Sequence, residues 1–148
     1  MANIWKKQAT LEQLNKMSEN TLVEHIEIEF TELGDNYVTA TMPVKSITHQ
    51  PLGMLHGGAS VVLAETLGSV AAHLSVSDDY YCVGLDINAN HIRAVRSGTV
   101  IGKASPLHIG ATTQVWQIEI TDERERLISI QRLTVSVLRH KRDLEGGR

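Results

Sequence analysis

Residues 49–69, HQPLGMLHGGASVVLAETLGS, decide how the rest of the chain is read. A glycine pair, Gly57 and Gly58, follows His56 and opens a run in which almost every residue is apolar. The run continues to Leu74, and its length and spacing predict one helix over 56–74, apolar nearly all round. One carboxylate, Glu65, stands in its middle, with no lysine or arginine within a helical turn or two on either side. Burying an ionised carboxylate without a partner is costly, so the position asks for an explanation.

The flanking sequence changes period. Upstream, ATLEQLNKMSEN (9–20) reads as a short helix with Thr10 as N-cap and Gln13 three residues on, a capping box, and with Leu11, Leu14 and Met17 on one face. HIEIEF (25–30) and NYVTATMPV (36–44) alternate in period two around an ELGDN turn and predict a hairpin. Residues 45–56 hold Pro51 and Gly53 and predict a loop that delivers the chain to the helix. Downstream everything reads as strand: 81–95, with Val83, Leu85, Ile87 and Ala89 on one face, then 98–105, 113–121 and 127–138, with DERER turning between the last two. The tail over 139–148 is charged and is expected to fray.

A short helix, two strands, one long central helix and four more strands predict an α+β domain over 1–148, an antiparallel sheet curled around the central helix. A single sheet covers only part of a helix that is apolar all round. The remaining face predicts a second copy of the same chain, a homodimer.

Size and composition narrow the function. The chain has 148 residues and a net charge of −3, so it offers no basic face for nucleic acid. Its one cysteine, Cys82, excludes an intrachain disulfide. No signal-peptide run opens the sequence, and its longest apolar stretch is shorter than the roughly 20 residues needed to span a bilayer. A cytoplasmic protein with no membrane partner is expected.

The familiar catalytic loops are missing: there is no G-x-S-x-G elbow, no phosphate-binding G-x-x-x-x-G-K-[ST] and no G-x-G-x-x-G. The seven histidines form no H-x-x-x-H pair, and His49, His56 and Glu65 are the one metal set the helix region would offer. No metal or redox cofactor is expected. Glu65 is open to three readings on its residues alone. It meets an arginine from a strand, bonds a backbone group at a subunit interface, or is kept reactive as a base or nucleophile. The glycine pair is either a plain turn or, with its N–H groups bare at the positive end of the helix dipole, an oxyanion hole. Gly57 and Glu65 are eight residues apart, roughly 12 Å along the helix at 1.5 Å per residue. One acyl carbon cannot touch both within one chain. Two antiparallel helices across a two-fold axis would let Glu65 of one copy approach Gly57 of the other.

QPLGMLHGGASVVLAET, with VGLDINANHIRAVRSGTVIGKASPLHIG and QVWQIEI further on, resembles the signature of hotdog-fold acyl-CoA thioesterases of the PaaI-like group. It is most similar to the branch that includes the 1,4-dihydroxy-2-naphthoyl-CoA thioesterases of menaquinone synthesis. The resemblance covers roughly residues 4–138. It implies a hydrolase for an aromatic or medium-chain acyl-CoA, with coenzyme A as part of the substrate, working as a homodimer with two shared sites that pairs into tetramers. On this chain it implies Glu65 as nucleophile or base, Gly57 as the N–H donor to the thioester carbonyl, Gln50 as the group orienting water or acyl, and His56 near the thioester sulfur. Thr66, Ser69 and Val70 would line the acyl pocket, with Gly84 beside them. His91, Arg93 and His108, the last in a loop over 105–110, would lie toward the coenzyme A entrance. Thr66 departs from the serine common in this branch. Two rivals share the fold: an acyl-CoA-binding sensor module, and a hydratase or dehydratase using a histidine–carboxylate pair.

Overall fold

A computed structural model describes residues 3–141. Thr10 caps the first helix, α1 (Leu11–Met17), and the Thr10–Gln13 capping box forms as its sequence predicts, both bonds present. Leu14 is buried, whereas Met17 is 62% exposed and does not share the inner face expected of it.

A second short helix, α2 (Leu22–His25), forms ahead of the expected strand and takes its first residue, His25. Thr21 caps it, and Glu27 leaves it at a positive φ of 62°, so the strand starts later, as β1 (Glu29–Leu33). Asn15 of α1 then bonds both backbone groups of Phe30, standing in for a neighbouring strand at the β1 edge. β2 (Val38–Pro43) completes the hairpin. Within the expected loop, Ser46–Thr48 makes a single 3-10 turn.

The central helix is α3 (Gly57–Leu74), and after it come β3 (Tyr80–His91), β4 (Thr99–Ile109), β5 (Thr113–Thr121) and β6 (Leu127–Arg139). The six antiparallel strands are ordered β1-β2-β4-β5-β6-β3. The sheet wraps one side of α3, which buries Leu63, Ala64, Leu67, Ala71 and Ala72 against it. Each fully buried leucine there contributes about 1.5–3 kcal/mol. Helix and sheet approach closely because two glycines allow it: a Cβ on Gly68 would stand 2.5 Å from a Leu133 methyl, and one on Gly102 2.6 Å from a Leu67 methyl. This is the hotdog architecture.

The N-terminal segment closes the far end. Trp5 stacks on the buried Trp116, ring centroids 6.1 Å apart, and donates its indole N–H to the Gly34 carbonyl. Lys7 Nζ donates to the carbonyl of His73 (2.9 Å), in the last turn of α3, and to that of Val76 (2.6 Å), just beyond its end.

Three expectations change in the strands. β3 ends at His91 rather than at 95, and a bulge between Gly84 and Asp86 reverses its side-chain parity. Val83 (39% exposed) and Leu85 (62%) therefore do not share the face of Ile87, Ala89 and His91. The segment 105–110 is not a free loop, because β4 continues through Ser105–Ile109 with a bulge between Pro106 and His108. β2 pairs with β4 only as far as Ala104, so Pro106 lies where no β2 neighbour needs its missing N–H. Of the tail, Arg139 closes β6 and the His140 N–H bonds the Asp79 carbonyl; residues 142–148 lie outside the described residues.

Candidate functional site

His56 is the N-cap of α3, with extended backbone, and its own ring Nδ1 accepts the Gly58 N–H at 2.8 Å. That bond has two effects. It removes Gly58 from the pair of bare N–H groups that the sequence suggests. It also makes Nδ1 the acceptor, so a neutral His56 carries its proton on Nε2 and presents a donor. Among the described residues nothing accepts the Gly57 N–H, which stays open at the positive end of the helix.

Beside it lies a cleft of about 300 Å³ whose walls include Gln50, Met54, Gly57, Ser60, His91 and Arg93. The loop over 49–55 is tied down locally, with the Gln50 N–H on the Met54 carbonyl and the Leu55 N–H on the Val95 carbonyl (2.7 Å). Gln50 Oε1 accepts the Leu52 N–H. Its carbonyl end is thereby committed to its own loop, and its NH2 is the end left for a ligand. His91 closes the other side, its ring so near that a Cβ on Gly57 would stand 2.9 Å from Nε2. Gly57, Gln50, His91 and Arg93 are thus brought together.

Glu65 is not with them. It is exposed on α3, within the stripe formed by the exposed Gly58, Ser69 and His73 and the half-buried Val61, Val62, Thr66 and Val70. The buried acid that the sequence suggests is, within one chain, an acid on an uncovered helix face. Its carboxylate makes no hydrogen bond or ion pair among the described residues, and Oε2 lies 3.5 Å from where a Cβ on Gly84 would stand. Gly84 belongs to β3, the sheet's edge strand, twelve residues long with one side unpaired. His108 sits exposed at the bulged end of β4, and its Nε2 would meet a Cβ on Gly110 at 2.5 Å. So the predicted residues fall into two groups, one around the cleft and one along the α3–β3 face, with His108 in neither.

Six residues of the cleft wall were not predicted, Ser60 and Met54 among them. The helical spacing of Ser60 from Gly57 was a usable signal for the first. Among the described residues no three His, Cys, Asp or Glu side chains converge as a metal site requires, and His49 Nε2 is bonded to the Arg96 carbonyl at 2.9 Å. Also among them, no helix is long and apolar enough to cross a membrane. A larger hollow, about 740 Å³ between the N-terminal segment and the β1–β2 turn, contains none of the predicted residues.

Residues 52–129 match the family model described as Thioesterase superfamily. A Vibrio cholerae protein, whose name gives it no more than a provisional place among esterases, is 66% identical over 139 residues, 94% of this chain and 93% of its own. The 1,4-dihydroxy-2-naphthoyl-CoA hydrolase of Escherichia coli is 54% identical over 135 residues, 91% of this chain and 99% of its own. The crystal structure of a Haemophilus influenzae thioesterase superposes with a TM-score of 0.90 at 50% identity, covering 92% of this chain and 95% of that one.

Proposed function

The chain belongs to the thioesterase superfamily and is an acyl-CoA thioester hydrolase, and from that premise we propose that it cleaves an aromatic acyl-CoA of the 1,4-dihydroxy-2-naphthoyl type in a site shared by two copies of the chain. The observation that carries this reading is the separation of hydrogen-bond donors from the acid. The Gly57 N–H, the Gln50 amide and the His56 Nε2–H are all donors at one end of α3, while the Glu65 carboxylate stands off the cleft on an uncovered face. Donors stabilise negative charge, and the carboxylate that would activate a water stands outside their cleft.

A homodimer joins the halves. β3 pairs antiparallel with its own copy, with the two-fold axis near Ile87 and Asn88, midway between Gly84 and His91. Glu65, against Gly84, then faces the cleft of the partner, where Gly57 lies against His91. The thioester oxygen takes the Gly57 N–H, and Gln50 steadies the acyl carbonyl or the incoming water. Glu65 of the other copy acts as base or nucleophile. In the base route the water oxygen bonds to the carbonyl carbon and its proton passes to Glu65. The carbon–sulfur bond then breaks, with the departing thiolate beside the His56 Nε2–H. Thr66, Ser69 and Val70 share the helix face with Glu65 and shape the acyl pocket. Arg93 at the cleft, with His91 and His108, attends the coenzyme A arm, whose phosphates suit a guanidinium.

The aromatic acyl group is supported by the high identity to the Escherichia coli hydrolase over nearly its whole length, and a role in menaquinone synthesis goes with it. The test is thiol release across a panel of aromatic and straight-chain acyl-CoAs, compared by kcat/KM. Aromatic substrates should lead. A leading medium-chain substrate would overturn the acyl assignment.

A further inference from the structure

Behind the cleft the core changes character. The alternate inward positions of β6 run Ser129, Gln131, Leu133, Val135 and Val137. The last three are the aliphatic residues expected of a core. The first two are polar yet sealed, 0% and 1% exposed. Ser129 is the direct cross-strand partner of His91, and Gln131 donates its Nε2–H to Ser129 Oγ at 2.7 Å. Gln131 Oε1, however, is buried with no donor among the described residues. Exchanging the amide's O and N would only orphan the NH2 instead, so one end of this amide lacks a partner either way.

Two more hydroxyls are unused, one in this pair and one on the cleft wall that His91 shares. The hydroxyl proton of Ser129 has no acceptor among the described residues, and the Ser60 hydroxyl, on a residue 1% exposed, lines the cleft without a bond. Buried polar groups are seldom left so, and a lone unpaired acceptor in a folded core asks for a ligand. A free donor, a free acceptor and a hydroxyl able to be either are the two to four partners that a single buried water requires.

We propose that Ser60, Ser129 and Gln131 hold one water molecule at the floor of the cleft, behind the His91 ring, and that Gln131 is a positioning residue for His91. The water completes the hydrogen bonding of the amide and fills the space beneath the imidazole. His91 is then held against Gly57, where the substrate carbonyl is received. The positioning role rests on the cleft being the substrate site; the water does not.

The test pairs a high-resolution crystal structure with kinetics on the wild-type protein and Gln131→Leu. Wild type should show one density peak within hydrogen-bond distance of both Ser129 Oγ and Gln131 Oε1, absent from the variant. The variant's kcat/KM should fall about tenfold, what the loss of one hydrogen bond's positioning is worth. Its Tm should stay near that of the wild type, because leucine fills the volume of the amide and the water leaves together with the bonds it made. A purely structural amide predicts the reverse, a lower Tm with undiminished kcat/KM in the folded enzyme, and that result would overturn the proposal. So would a wild-type structure with no such peak. Should Gln131→Leu fail to fold, Ser129→Ala removes the donor instead and should show the same loss of kcat/KM. A wild-type protein that releases no thiol from any acyl-CoA would count against the functional reading alone, leaving the density peak to decide the water.

Discussion

The imidazole of His91 occupies the space where a side chain on Gly57 would begin, its Nε2 2.9 Å from the missing Cβ. Position 57 is therefore held to glycine by a neighbour from β3, independently of its backbone conformation. The neighbour is the end of a movable side chain, so an added methyl displaces the ring rather than the fold. Gly57→Ala is expected to fold with a Tm near that of the wild type and to lose about a hundredfold in kcat/KM, the scale of a 1 Å misplacement at a reacting centre. A Gly57→Ala enzyme with normal kcat/KM would show that the ring's place is immaterial.

Glu65→Gln should lower kcat by about 10²–10⁴, the range for a lost general base, while leaving the protein folded. Its sharper use is in mixing. If each site takes Glu65 from one copy and Gly57 from the other, a dimer of one Glu65→Gln and one Gly57→Ala chain has one intact site. Equal co-refolding of the two weak variants should then recover about a quarter of wild-type activity, since half the dimers are mixed and each has one good site of two. Recovery no greater than the mean of the parents would place the whole site within one chain.

The α3–sheet contact leaves no room for β-branched residues. Gly68→Val and Gly102→Val each drive a methyl group into Leu133 or Leu67 and should cost about 1–3 kcal/mol in urea unfolding, the usual price of overpacking. A variant with an unchanged midpoint would mean that those leucines yield freely.

Asp122 sets the pH response of the β5–β6 turn. The Arg126 backbone N–H holds its carboxyl below the ordinary 3.8, helped by the Arg126 side chain (2.8 Å) and the Arg124 N–H, against an opposing effect of burial. A carboxylate with a folded pKa below its unfolded one stabilises the protein above the unfolded value and loses that contribution as pH falls through the folded value. Asp122→Asn should thus lower Tm at neutral pH, and the gap from wild type should close as pH drops below about 4. A gap that stayed constant down to pH 2 would remove the carboxylate charge as its cause.

What could be read in advance followed how local each signal is. The Thr10–Gln13 capping box and the long apolar helix are written within a few residues of where they act, and both form. The bulge at Leu85 is not, because it is fixed by how β3 registers against β6, where Gly84 pairs with Val135 and Asp86 with Thr134, and it reverses the face assigned to Val83. The four-residue helix α2 is too short to show a period. The His56 cap depends on one ring torsion, which no spacing encodes. Glu65 is legible in part: its distance from Gly57 follows from helix geometry, whereas apolarity says that a helix face will be covered but not by what, and within one chain it is bare. The cleft itself joins the loop over 49–56 to the end of β3, a contact made only by the closed fold.

The Lys7 ammonium, seated on the carbonyls of His73 and Val76, bears on the far end of the same helix. An α-helix carries about half a positive charge at its start and half a negative charge at its end. Here the negative pole is capped by a cation and the positive pole is left bare at Gly57. Seen from outside, α3 is a one-ended electrode, and an approaching anion meets its attraction without the opposing pole. In a chain of net charge −3, that gives an acidic protein a local welcome for a polyanionic ligand.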